Sequence, residues 1–220
     1  MGKQMKVFAV IFLTFFALCV LSITAYALIY GNETDGGFGG GGFKTGASSI
    51  RTGVIEGAGY FLSSYSDILA FLNKIELAEL KGIDYAELQK IIAGAVENMT
   101  NAKNTYLTLT QTADVTPYNL EVIEKLIAFD YGAFRREKQL NRVVFSQVES
   151  FLARGDIRGV YHRFLSIAEE LLVRLNTIKA DVDAGRFPFS EALWELNQDA
   201  AQALLFGQYT TEVFCRAAAQ

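Results

Sequence analysis

From Ser48 onward, apolar residues recur at steps of three and four, the spacing of a helix with one buried stripe. No segment alternates convincingly enough to predict a strand. The first run spans Ser48–Lys81 and includes Phe61, Tyr65, Ile68, Leu72 and Ile75; Lys81-Gly82 ends it. Asp84, with Glu87 three residues on, reads as the capping pair of a second helix that runs to Thr112. Asp114-Val-Thr116-Pro117 places a cap ahead of a proline at the first position of a third helix, predicted to continue to Ala153 with a kink at Gly132. Gly155-Asp156 breaks the chain and starts a fourth helix ending near Ala184. Gly185-Arg-Phe-Pro188 separates that from a fifth, capped by Ser190. Short turns between long helices force antiparallel neighbours. The fold predicted is therefore all-α, an elongated antiparallel up-down bundle of four to five long helices over residues 48–220, about 45 Å long at about 1.5 Å per residue.

Ahead of the bundle the pattern changes twice. Val7–Tyr30 is 24 residues without a charge or a proline, preceded by Lys3 and Lys6 and followed by Glu33 and Asp35. As a helix it would reach about 36 Å, enough for a hydrocarbon core of about 30 Å, with its N-terminus on the cytoplasmic side. A cleaved signal competes with a retained anchor, because Ala25-Tyr26-Ala27 supplies a small-x-small site. The apolar stretch exceeds the usual signal length, which favours the anchor. Either way, the rest of the chain is sent across. Residues 31–47 then form a linker whose glycine density, Gly36-Gly37-Phe38-Gly39-Gly40-Gly41-Gly42-Phe43, is incompatible with a stable element. The expected organisation is anchor or signal at 1–30, linker at 31–47 and an extracytoplasmic bundle at 48–220.

Charge narrows the partners. The part beyond Ala27 carries all 24 acidic residues and 18 of the 20 basic ones, which argues against nucleic acid. The distribution is uneven: residues 135–186 hold ten bases, eight of them arginine, against seven acids. The Arg-rich stretch offers Arg135, Arg136 and Arg142 as candidate partner-binding residues toward an acidic protein or anionic headgroups; the alternative is solvated faces and internal ion pairs. Phe38 and Phe43, unusual in a spacer, are candidates to enter a partner groove or the bilayer interface.

Candidate chemistry is sparse. His162 is the sole histidine, so paired Glu-x-x-His ligands for a di-iron bundle cannot be assembled, and Gly159 stands three residues before it. Cys19 and Cys215 do not form a zinc or haem motif. Cys215 has the helical spacing of a small buried residue. Glu191, Glu195 and Asp199 line one face of the fifth helix, which reads as a solvated face; the alternative is a site for calcium or a basic partner, invited by repulsion between like charges. Arg154-Gly155-Asp156 spells an adhesion tripeptide but reads as a turn, and Asn98-Met-Thr100 matches a glycosylation site inside a helix. No catalytic, cofactor-binding or metal-ligating set emerges. The sequence thus predicts a non-enzymatic, membrane-anchored envelope protein: an accessory, scaffold or adaptor subunit, with other envelope proteins or further copies of itself as partners. The alternative is a periplasmic bundle that holds a small ligand, of sensor or carrier type; an enzyme working through carboxylates or tyrosines ranks third.

Overall fold

The computed structural model describes residues 60–61, 63–75, 82, 84–112, 117–137, 140–188 and 190–218. The chain divides into two compact units, Met1–Phe43 and Lys44–Gln220, and every described residue belongs to the second. The expected anchor, the linker, Phe38 and Phe43 lie outside the described residues, as do both ends of the first predicted helix.

The described residues are helical and contain no strand. We number the helices α1 (within residues 60–75), α2 (Tyr85–Thr112), α3 (Pro117–Ala128), α4 (Tyr131–Glu137), α5 (Arg142–Leu152), α6 (Ile157–Asp183) and α7 (Ser190–Ala218). The second, fourth and fifth predicted helices correspond to α2, α6 and α7. Asp84 Oδ1 accepts the Glu87 N–H at 3.1 Å, as its cap position requires. The Glu87 carboxylate does not complete a capping box; it reaches across to Lys74 of α1 at 2.7 Å. Helix α7 begins at Ser190 itself.

The single helix expected from Pro117 to Ala153 is corrected to three, α3, α4 and α5. The first break falls at Phe129-Asp130, just before the kink expected at Gly132. Asp130 Oδ1 accepts the Ala133 N–H at 2.7 Å, and the Tyr131 hydroxyl donates to the Leu126 carbonyl at 2.8 Å. The second break is closed by Asn141, whose Oδ1 accepts from the Val143 and Val144 amides at 3.1 and 3.2 Å. What offsets the lost helical hydrogen bonds is aromatic burial. The broken path brings Phe129, Tyr131, Phe134 and Phe145 into one buried cluster, with successive ring centroids 5.1 to 5.9 Å apart. The Asn141 N–H donates to the Tyr209 hydroxyl at 3.0 Å, which fixes the α4–α5 connection to α7.

The long helices pair antiparallel. Ser64 Oγ donates to the Ala95 carbonyl at 3.1 Å, while further along Lys74 meets Glu87, so α1 and α2 run in opposite directions. Helix α6 packs most extensively on α2, and α7 lies against α3, α5 and α6. Fully buried Ala95, Ala102 and Ala168 let the helices approach, and large rings fill the space between them. Tyr106 stacks on Phe164 at 4.4 Å, and Phe164 meets Phe61 at 5.5 Å and Phe206 at 5.0 Å, so one aromatic layer joins α1, α2, α6 and α7.

Two glycine turns end helices. Gly155 (φ +68°) follows α5; its N–H donates to the Leu152 carbonyl and the Asp156 N–H to the Phe151 carbonyl, the paired bonds of a Schellman cap. Gly185 (φ +67°) closes α6 in the same way, through bonds to Val182 and from Arg186 to Asp181. The Arg154-Gly155-Asp156 triplet is accordingly a turn, with Asp156 committed to capping α6 through the Gly159 N–H at 2.8 Å.

Candidate interaction surface

The carboxylate face singled out on α7 has a partner inside the chain. Arg174 of α6 reaches between Glu195 and Asp199, donating through Nη1 to the first and Nε to the second. Partial burial disfavours the charged guanidinium, but the two carboxylates outweigh this and its pKa is raised. Glu191, one turn earlier, is exposed. Among the described residues no group of histidine, cysteine, aspartate and glutamate side chains is placed to hold a metal ion.

The three arginine candidates separate. Arg135 pairs with Glu149 of α5 and is thereby part of the bundle's own ion pairing. Arg136, in the last turn of α4, and Arg142, the first residue of α5, are exposed and have no carboxylate within ion-pair distance among the described residues. Glu137, between them in sequence, is held by both Arg216 amino groups at 2.8 and 3.0 Å. Arg216 also lies over the Phe134 ring, 5.1 Å from its centroid.

The remaining candidates have structural surroundings. His162 is exposed on α6. Cys215 is a buried free thiol. Asn98, in the glycosylation triplet, donates its side-chain amide to Asp67 of α1 at 2.9 Å and so serves the α1–α2 contact. Tyr161 and Tyr131 are both pushed above the usual phenol pKa, Tyr161 by burial and Tyr131 by burial and then the Glu149 charge.

Between α5, α6 and α7 lies a cleft of about 40 Å³, lined in part by Gln147, Arg163, Glu170, Asp199 and Gln202. That volume suits a few waters; pockets that enclose a small organic ligand run to about 300–1,000 Å³. Arg163 and Glu170 face each other across its rim at 3.5 Å.

Sequence reasoning missed the apolar surface. Trp194, the sole tryptophan, is 64% exposed on α7, Val173 of α6 is 69% exposed, and Val143, next to Arg142, is also 69% exposed. On α3, Leu120 and Ile127 stand out half-exposed one full heptad apart. Leu120 and Ile127 fall at spacings read as core, whereas Trp194, Val173 and Val143 fall off the apolar stripes, where three and four residues on the chain is polar. Among the described residues, no helix is long and apolar enough to cross a membrane. No protein-family model matches the chain, and no curated protein and no solved structure matches it either.

Proposed function

We propose that this is a non-enzymatic, membrane-anchored helical-bundle protein that acts outside the cytoplasm as an accessory, scaffold or adaptor subunit of an envelope complex. The observation that carries this reading is Trp194: among the described residues thirteen of seventeen phenylalanine and tyrosine rings are buried, while the one tryptophan is 64% exposed on a long helix. Tryptophan is enriched in the centres of protein–protein interfaces, where a large rigid side chain is desolvated at low entropic cost. The apolar stretch Val7–Tyr30 supports the anchor, and the glycine-rich residues 31–47 give the bundle reach toward its partner.

The test is native mass spectrometry of the full chain, tagged at its C-terminus and purified gently from its own membranes. The expected result is a mass containing at least one other protein, lost in Trp194→Ala while the variant keeps its helical circular dichroism. Recovery of the chain alone, or a complex indifferent to Trp194→Ala, overturns the assignment to this face.

A further inference from the structure

Among the described residues, at least nine of fourteen cations meet a carboxylate within 4 Å. Lys74, Lys103, Lys125, Arg163, Lys179 and Arg186 each meet a carboxylate within 4 Å. The α4–α5 corner carries two of those that do not, close together in the chain. Between Asp130 and Glu149 the chain carries Arg135, Arg136, Lys138 and Arg142 against the single acid Glu137, in a domain whose acids outnumber its bases. Arg216 occupies Glu137, and Arg135 takes Glu149, which leaves Arg136 and Arg142 without a carboxylate among the described residues. Arg142 is also the first residue of α5, where the helix dipole repels a cation. Stability of the bundle does not account for its position. Beside it, Val143 turns an apolar side chain to solvent at 69% exposure.

We propose that this corner, Arg136 of α4 with Arg142 and Val143 of α5, docks on an anionic bilayer surface. Guanidinium groups bind lipid phosphates through paired N–H donors, and a neighbouring aliphatic side chain enters the boundary below the headgroups. The match is of charge and of polarity together: two exposed arginines and one exposed valine fall within eight residues of chain. The individual attraction is weak, about fivefold in partition per arginine near an anionic surface. It suffices only for a domain already tethered at the membrane, so the inference rests on the anchoring proposed above.

The experiment uses the full chain reconstituted into vesicles, with Val143→Cys carrying an environment-sensitive dye. Vesicles of phosphatidylcholine alone are compared with vesicles containing phosphatidylglycerol. The dye emission is expected to shift to the blue only with phosphatidylglycerol, and the shift to disappear in high salt. In Arg136→Gln/Arg142→Gln the docked-to-free ratio falls about 30-fold. Arg136→Lys/Arg142→Lys, which keeps the charge, retains most of the shift. Equal emission on both vesicle types overturns the proposal. So does a shift that survives the double glutamine variant, or one produced by polyglutamate and not by phosphatidylglycerol, which would make the partner an acidic protein. Resistance to alkaline carbonate extraction, read on the same vesicles, reports the anchor separately. A chain that is extracted fails the anchoring reading and the docking that rests on it, whereas a chain that resists extraction but does not answer to phosphatidylglycerol fails the corner alone.

Discussion

Replacing Gly155 with alanine probes how α3 is held against the rest of the bundle. Gly155 sits at φ +68°, and a Cβ there would lie 2.4 Å from Ile123 Cγ2 and 3.2 Å from Ile127 Cδ1. The left-handed backbone costs an L-residue about 1–2 kcal/mol. The overlap with Ile123 is a side-chain methyl group against a new methyl group, and relieving it by shifting α3 costs about 1–3 kcal/mol. Loss of glycine's freedom in the unfolded chain returns about 0.4–1 kcal/mol. The net destabilisation expected is about 2–4 kcal/mol, a fall in Tm of roughly 5–12 °C for a domain of this size. Gly185 is the internal control: it has φ +67° with nothing within 4 Å of the added Cβ, so Gly185→Ala carries the backbone cost alone, about 1 kcal/mol net. Urea unfolding of the full chain in mild detergent, followed by circular dichroism, compares the two. Ile123→Ala in the Gly155→Ala background makes room for the new methyl group and recovers about 1 kcal/mol or more of coupling. If Gly155→Ala loses no more than Gly185→Ala, to within about 0.5 kcal/mol, α3 does not rest on this turn and the reasoning fails.

Thr210 is fully buried and its hydroxyl has no hydrogen-bond partner within the protein, so the nearly isosteric Thr210→Val is expected to raise stability by about 1 kcal/mol or more; a lower denaturation midpoint would show that the hydroxyl is bonded in solution. Arg174→Gln leaves Glu195 and Asp199 facing one another, but the arginine side chain is about a third exposed, so the expected loss is only about 0.5–1 kcal/mol and shrinks as salt is raised; a loss of the same size at 1 M salt would assign its role to packing of the aliphatic stem. Tyr131 and Tyr161 keep their protons in the folded chain above the pH, near 10, at which they ionise when unfolded. Their contribution to stability is therefore complete below pH 10 and is lost as pH rises beyond it. Tyr161→Phe should flatten that alkaline decline in thermal melts, and an unchanged slope above pH 10 would contradict the burial of its hydroxyl.

Much of the fold was legible because burial repeats with the helix period. In α2, Leu88, Ile92, Ala95, Met99, Ala102 and Tyr106 are all buried at the steps read from the sequence, and α6 behaves likewise from Val160 to Val182. The breaks around α4 were not legible. Phe134 and Val144 continue the apolar stripe of a long helix in register, and Asp130 and Asn141 read as ordinary polar positions. They act as caps because the backbone leaves the helix there, and what makes it leave is the burial of Phe129, Tyr131 and Phe145, a tertiary gain. The surface chemistry was half legible for the same reason. The acidic face of α7 is a matter of spacing within one helix, whereas its neutralisation by Arg174 depends on the register of two. Likewise the run Arg135–Arg142 is visible in the chain, but only the positions of Glu149 and Arg216 decide which of its charges remain free.

The acidic ladder on α7 has a consequence for motion. Because Glu191, Glu195 and Asp199 repeat every four residues, moving α7 along α6 by four residues, about 6 Å, would set Arg174 between Glu191 and Glu195 in place of Glu195 and Asp199. The ion pairing is the same before and after, so it offers no resistance to such a ratchet. The rings supply it: the same movement would carry Gln202 to where Phe206 now meets Phe164. The Arg174 pairing holds these two helices side by side without choosing their alignment, and the ring contacts of α7, with the Tyr209 hydroxyl that accepts from Asn141, decide which of two equally neutral positions is occupied.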